Sequence, residues 1–187
     1  MDEFSYLSVL LSVILGLAVT QILQGFRALL LSRRRVQIYW PVIAWGLLIL
    51  LVCFQNWWSM FGMRNRHDWS FGQFGMVLSQ TVLIYMVAGL VFPEFQGEKA
   101  IDLKESFFAH RRWFFALGFS TVALSVAKNV VLDGRLPNSK DLAFHAVFAV
   151  ALCSGALLSS ERYHKALVIF VLVAFILYTL LLYARIR

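Results

Sequence analysis

Lys128 is the most unusual group in this chain. It lies in an apolar run from Trp113 to Leu132, where an ammonium must find a carboxylate, carbonyl oxygens or water. The nearest carboxylates in sequence are Asp133 and Asp141, and Asp141 stands four residues before His145, on the same face of any helix that holds both. Histidine is the side chain whose charge changes near neutral pH. If the fourth and fifth runs form a hairpin across Asp133–Lys140, then Lys128, Asn129, Asp141 and His145 lie toward one membrane surface. Gln55 and Asn56, which end the second run beside Trp57 and Trp58, reach the same surface. This predicts a polar vestibule at the outer face, fit for a small polar solute or ion. A plainer arrangement uses the same residues: Lys128 snorkels outward, Asp141 caps the fifth helix, and His145 makes one hydrogen bond.

Two stripes run at fourfold spacing. In the first apolar run, Ser8, Ser12, Gly16, Thr20 and Gln24 continue to Ala28 and Ser32, with Gln21 beside them. Small residues at this spacing let helices approach closely, and hydroxyls and amides bond across the contact. The stripe therefore reads as a helix-packing face and a candidate subunit contact, with a pore-lining role as the alternative. The second stripe is Thr121, Ser125, Asn129 and Asp133.

Motifs for catalysis and cofactor binding are sparse. The sequence has no GxSxG elbow, P-loop, HExxH or Cys-x-x-Cys, so no catalytic residue, metal ligand or cofactor is assigned. Glu94, Glu98, Asp102 and Glu105 near His110 permit a membrane-edge enzyme, but alternation with Lys99, Lys104, Arg111 and Arg112 reads more simply as a solvated, lipid-contacting surface. Axial haem ligation needs two histidines at one depth on facing helices. His67, His110 and His164 read as belonging to connections, which leaves His145 alone in the lipid. Cys53 and Cys153 sit in separate apolar runs and form no disulfide framework.

The elements that position these groups follow from composition. Of 187 residues 60% are hydrophobic and 14% charged, whereas soluble domains carry about 45–50% and about 25%. A bilayer core of roughly 30 Å needs about 20 apolar residues per helical crossing. Six runs qualify, over residues 4–31, 40–63, 71–92, 113–132, 142–160 and 166–184. Pro41 opens the second, Pro93 closes the third and Pro137 lies in the fourth connection, so no proline falls within a span. Residues 98–112 form either a short helix on the membrane surface or a downward extension of the fourth helix. The expectation is a single integral membrane domain over 1–187, an all-α polytopic transmembrane bundle of six helices with short loops.

The formal charge of +7 sits in short clusters between the runs, the pattern of topology signals rather than of a nucleic-acid surface. Ten Lys and Arg fall on the side of Arg33-Arg34-Arg35 and seven on the other, which predicts both termini outside and the arginine triplet in the cytoplasm. Met1-Asp2-Glu3-Phe4 is acidic where a cleavable signal is basic, so the first run is expected to stay in the mature protein.

Four segments carry a resemblance: Tyr6–Leu17, Arg35-Val36-Gln37-Ile38-Tyr39-Trp40-Pro41, Gln55-Asn56-Trp57-Trp58 and Arg111-Arg112-Trp113-Phe114-Phe115. With them the chain resembles a family of small, uncharacterised bacterial multi-spanning membrane proteins. The resemblance implies a bacterial inner-membrane location and assigns no activity, catalytic residue or ligand residue. The functional expectation is a small channel- or transporter-type protein, oligomeric because six spans in one copy leave little room for alternating access. The alternative is a non-catalytic subunit, sensor or scaffold that packs with partner helices.

Overall fold

The structure is a computed structural model that describes residues 3–95 and 100–182. Six helices account for most of it: α1 (Glu3–Leu31), α2 (Trp40–Met60), α3 (Phe71–Val91), α4 (Leu103–Asp133), α5 (Ser139–Leu157) and α6 (Glu161–Leu182). All six are long and apolar enough to cross a membrane, α2 together with a short 3-10 turn to Met63. The chain has the build of a multi-pass integral membrane protein. Glu98, Lys99, Arg185, Arg187 and the expected end of the sixth span at 183–184 lie outside the described residues.

Local chemistry sets the helix ends. Pro41 occupies the first turn of α2, where a missing N–H removes no hydrogen bond. Ser70 and Gln73 form a reciprocal capping box at α3. Asp102 accepts from the backbone N–H groups of Lys104 and Glu105 at α4, and Gly134, at φ 66°, ends that helix in the left-handed region that favours glycine. At α5 the cap is Asn138, whose side chain accepts from the Asp141 N–H. Asp141 is thus a first-turn acid, and the capping role that the plainer arrangement gives it belongs to Asn138.

Among the described residues of 98–112 there is no separate helix; the extension of the fourth helix is what forms. From Leu103 the chain is one helix of 31 residues, about 46 Å long at about 1.5 Å per residue, longer than a hydrocarbon core of roughly 30 Å. Just before it, Ile101 and Asp102 pair in parallel with Val36 and Gln37, tying the α1–α2 and α3–α4 connections together at the end that carries Arg33–Arg35. We call this the arginine face, and the opposite end, where α1 begins, the N-terminal face. Sequence placed α5 and α6 about a turn late, because Ser139, Lys140 and Glu161 are polar yet helical.

The helices form a ring in which α1 packs on α3 and α2, α3 on α4, α4 on α5, α5 on α6, and α6 back on α2. Lipid tails are as apolar as leucine, so contacts in the ring depend on fit rather than on escape from water. Two aromatic rings fill notches left by glycines. Phe92 lies directly against Gly25 of α1 and Gly46 of α2. Phe115 of α4 lies against Gly155 of α5, where any Cβ would fall 2.7 Å from the ring. On α1 the inward face is Leu11, Leu15, Ala18, Ile22 and Gly25. Ser12, Gly16, Thr20 and Gln24 point out of the bundle and Ser8 is half-buried, so within one copy this stripe is not the face that packs.

The Phe115 notch yields a direct test. Gly155→Ala should cost about 1–3 kcal/mol through overpacking, read as a lower unfolding midpoint in detergent. Gly89→Ala, with nothing within 4 Å of the new methyl, should match or exceed the parent. Equal behaviour of the two variants would show that the notch does not hold the ring in place.

Candidate functional site

Five of the six helices, α2 to α6, surround a cavity of about 140 Å³. Its wall is mostly apolar, but polar side chains gather at mid-depth and toward the N-terminal face: Gln55 from α2, Gln80 from α3, Thr121 and Ser125 from α4, His145 from α5 and Tyr178 from α6. Toward the arginine face the wall is Trp45, Val87, Gly118, Leu152 and Val171. Behind Trp45 the rings of Phe114 and Phe115 meet it edge-on, with centroids at 5.3 and 5.4 Å. No Asp, Glu, Lys or Arg lines the cavity.

His145 organises the polar side. It is 6% exposed, and its Nδ1 stands 2.8 Å from the Asp141 main-chain oxygen and 3.0 Å from Asp141 Oδ1, with the N–H directed at the main-chain oxygen. That pattern assigns the proton to Nδ1, which leaves Nε2 to accept from the Ser125 hydroxyl at 3.1 Å. The order Ser125–His145–Asp141 is that of a nucleophile, its base and an orienting acid. Helix α4 continues to Asp133, so its backbone N–H groups around Ser125 are committed to the helix and none is turned toward the hydroxyl. What the trio does supply is a fixed hydroxyl and a fixed imidazole in the wall. Gln80, 7% exposed, makes no hydrogen bond to any described residue, and neither does the half-buried Gln55.

Of the six residues that sequence placed in a vestibule, His145 and Gln55 line this cavity. The other four do not. Lys128 is half-buried outside the lining, drawn electrostatically to Asp141 and Asp133 without an ion pair to either. Asn129 donates to the Ser125 main-chain oxygen in its own helix. Asn56 is buried with its Nδ2 unpartnered, and Asp141 stands behind His145. Asp133 instead meets Arg66 at 2.5 Å, and Arg66 also donates to the Leu132 carbonyl, closing the C-terminus of α4. Gln80 was missed, since a lone amide in an apolar run carries no pattern. Thr121 and Ser125 belonged to the second stripe, and that spacing was their signal.

A second polar group lies near the arginine face. His164, expected in a connection, sits in the first turn of α6 and is fully buried among Phe107, Phe108 and Phe115. Its Nε2 faces the Leu158 carbonyl at 2.9 Å and its Nδ1 has no partner. The Tyr39 hydroxyl, on the same Phe107–Phe108 pair, is also unpartnered. Burial first, and then the Glu161 carboxylate, pushes this phenol up to about 12. Glu161 itself joins Lys104 at 2.5 Å and Lys165 at 2.6 Å. Among the described residues no group of three or more His, Cys, Asp or Glu is placed to hold a metal ion.

Comparison with protein-family models, curated proteins and solved structures returns no match, so the reading of this site rests on its geometry.

Ser125→Ala should cost about 1 kcal/mol, because His145 Nε2 then loses its donor at a buried interface between two helices. Thr121→Ala, whose hydroxyl bonds only the Leu117 carbonyl of its own helix, should stay within a few tenths of parent. Unfolding midpoints of the two variants in one detergent check the difference.

Proposed function

We propose that this chain is a small transport-type membrane protein that takes a solute into the cavity between α2 and α6. The observation that carries the reading is the cavity itself: five helices contribute wall, and each brings at least one polar side chain to a space with no Asp, Glu, Lys or Arg in its lining. The sequence pointed to a polar solute or ion; the apolar wall favours a neutral solute. Flux in proteoliposomes tests this. Native protein should move small neutral solutes faster than empty vesicles do, Val122→Phe should slow that movement by filling the cavity, and Lys128→Met should leave it near parent. Tight vesicles around folded protein would sink the reading, and flux lost with Lys128→Met but kept with Val122→Phe would move the path to the charged rim.

The same proposal includes assembly with a second copy through the outer face of α1. Thr20, Gln21 and Gln24 are exposed along its length, and amides turned toward lipid are costly unless another helix bonds them. Gly16 has nothing within 4 Å in one copy, so Gly16→Leu should leave the folded monomer intact and weaken association at least tenfold, measured by subunit exchange in bilayers. Unchanged association removes this face from the reading and favours partner helices elsewhere.

A bacterial inner membrane, with the arginine face in the cytoplasm and both termini outside, completes the proposal; the loop basic residues support it. An impermeant maleimide added to intact cells should label Asn138→Cys and spare Ser32→Cys. The opposite labelling inverts the orientation.

A further inference from the structure

We infer that the cavity takes a neutral molecule with a single ring that carries a carbonyl or hydroxyl group at its edge. This names the solute class of the cavity described above and rests on its solute-binding role.

Size comes first. At about 140 Å³ the space is close to the roughly 150 Å³ at which a dry apolar cavity accepts one benzene ring. Charge comes second. Without a carboxylate, ammonium or guanidinium in the wall, an ion entering from water would shed its hydration shell with no counter-charge to receive it. Shape comes third. Trp45, Phe148 and Phe175 present rings to the cavity alongside aliphatic side chains, a surface suited to stacked or edge-on contact with another ring.

The polar head is specified by what is left unbonded. Gln80 is more than nine-tenths buried, lines the cavity and has no hydrogen-bond partner among the described residues. A buried amide in that state retains two donors and an acceptor for an occupant, and leaving them unmet is unfavourable. Gln55, also unbonded, offers the same groups from the neighbouring helix. The Ser125 hydroxyl has its proton committed to His145, so its oxygen remains an acceptor. One side of the cavity thus offers amide donors beside acceptors, which a carbonyl, an amide or a hydroxyl on the ring can meet at once. A plain hydrocarbon ring meets none of them.

The probe is 4-fluorobenzamide, followed by fluorine NMR with the protein in lipid nanodiscs, against fluorobenzene as the ring without a head and empty nanodiscs as the partition control. Native protein should bind the benzamide saturably and at least tenfold more tightly than fluorobenzene. Gln80→Leu should weaken the benzamide at least tenfold while leaving fluorobenzene within twofold. If that variant does not fold, Gln55→Leu reads the same loss. Binding no greater than in empty nanodiscs, equal affinity for the two probes, or loss of both probes together in a folded variant overturns the inference. Flux of other neutral solutes with no saturable benzamide binding leaves the transport reading standing and removes this one. Saturable binding with tight vesicles does the reverse.

Discussion

Inside a bilayer there is no solvent to complete a hydrogen bond, and that constraint governs nearly every polar atom in this protein. Hydroxyls within the helices turn back to carbonyls one turn earlier, as Thr20, Thr81, Thr121 and Thr179 do. Helix ends are closed by Ser70, Asp102 and Asn138 or by the Arg66 side chain. His145 spends one nitrogen on its own helix and the other on its neighbour. Against that local satisfaction, the exceptions carry information: the Gln80 and Gln55 amides and the Trp45 indole N–H at the cavity, Asn56 Nδ2 in α2, and the Tyr39, Arg111 and His164 atoms near the arginine face.

Lipid also removes the usual reason for helices to adhere, since a leucine is as well solvated by acyl chains as by another helix. Close fit takes over. The glycines at 25, 46 and 155 admit the Phe92 and Phe115 rings where a methyl group would collide, and Phe115 then backs the Trp45 floor of the cavity. Packing and site are therefore not separable here: the ring that seats α4 on α5 also shapes the space between them.

The six spans were legible because length and apolarity are properties of a single run, readable without knowing its neighbours. Pro41 marked its helix start for the same reason. What faces what was not legible. On α1 a small-residue stripe and an aliphatic face compete for the interior, and only the presence of α2 and α3 shows that Leu15, Ala18 and Ile22 go inward. His164 reads as part of a connection, because sequence does not reveal that aromatic residues some fifty positions earlier enclose it. The polar cluster was half legible: the pairing of Asp141 with His145 follows from helical spacing, while Ser125 and Gln80 join it only through tertiary placement. Lys128 drew attention by its charge, yet charge alone does not say whether a side chain points into a cavity or past it.

The two-residue ladder between Val36–Gln37 and Ile101–Asp102 makes the two ends of the bundle mechanically unlike. At the arginine face, backbone bonds join two connections that would otherwise be independent, and the Ile101 N–H adds a third tie to the Arg35 carbonyl at 2.9 Å. At the N-terminal face the connections are joined to the helices by side chains such as Arg66, with no ladder among the described residues. The protein is stitched by backbone pairing at one rim and buttoned by side chains at the other, so a substitution can undo a tie where α4 ends but not the ladder beside Arg35.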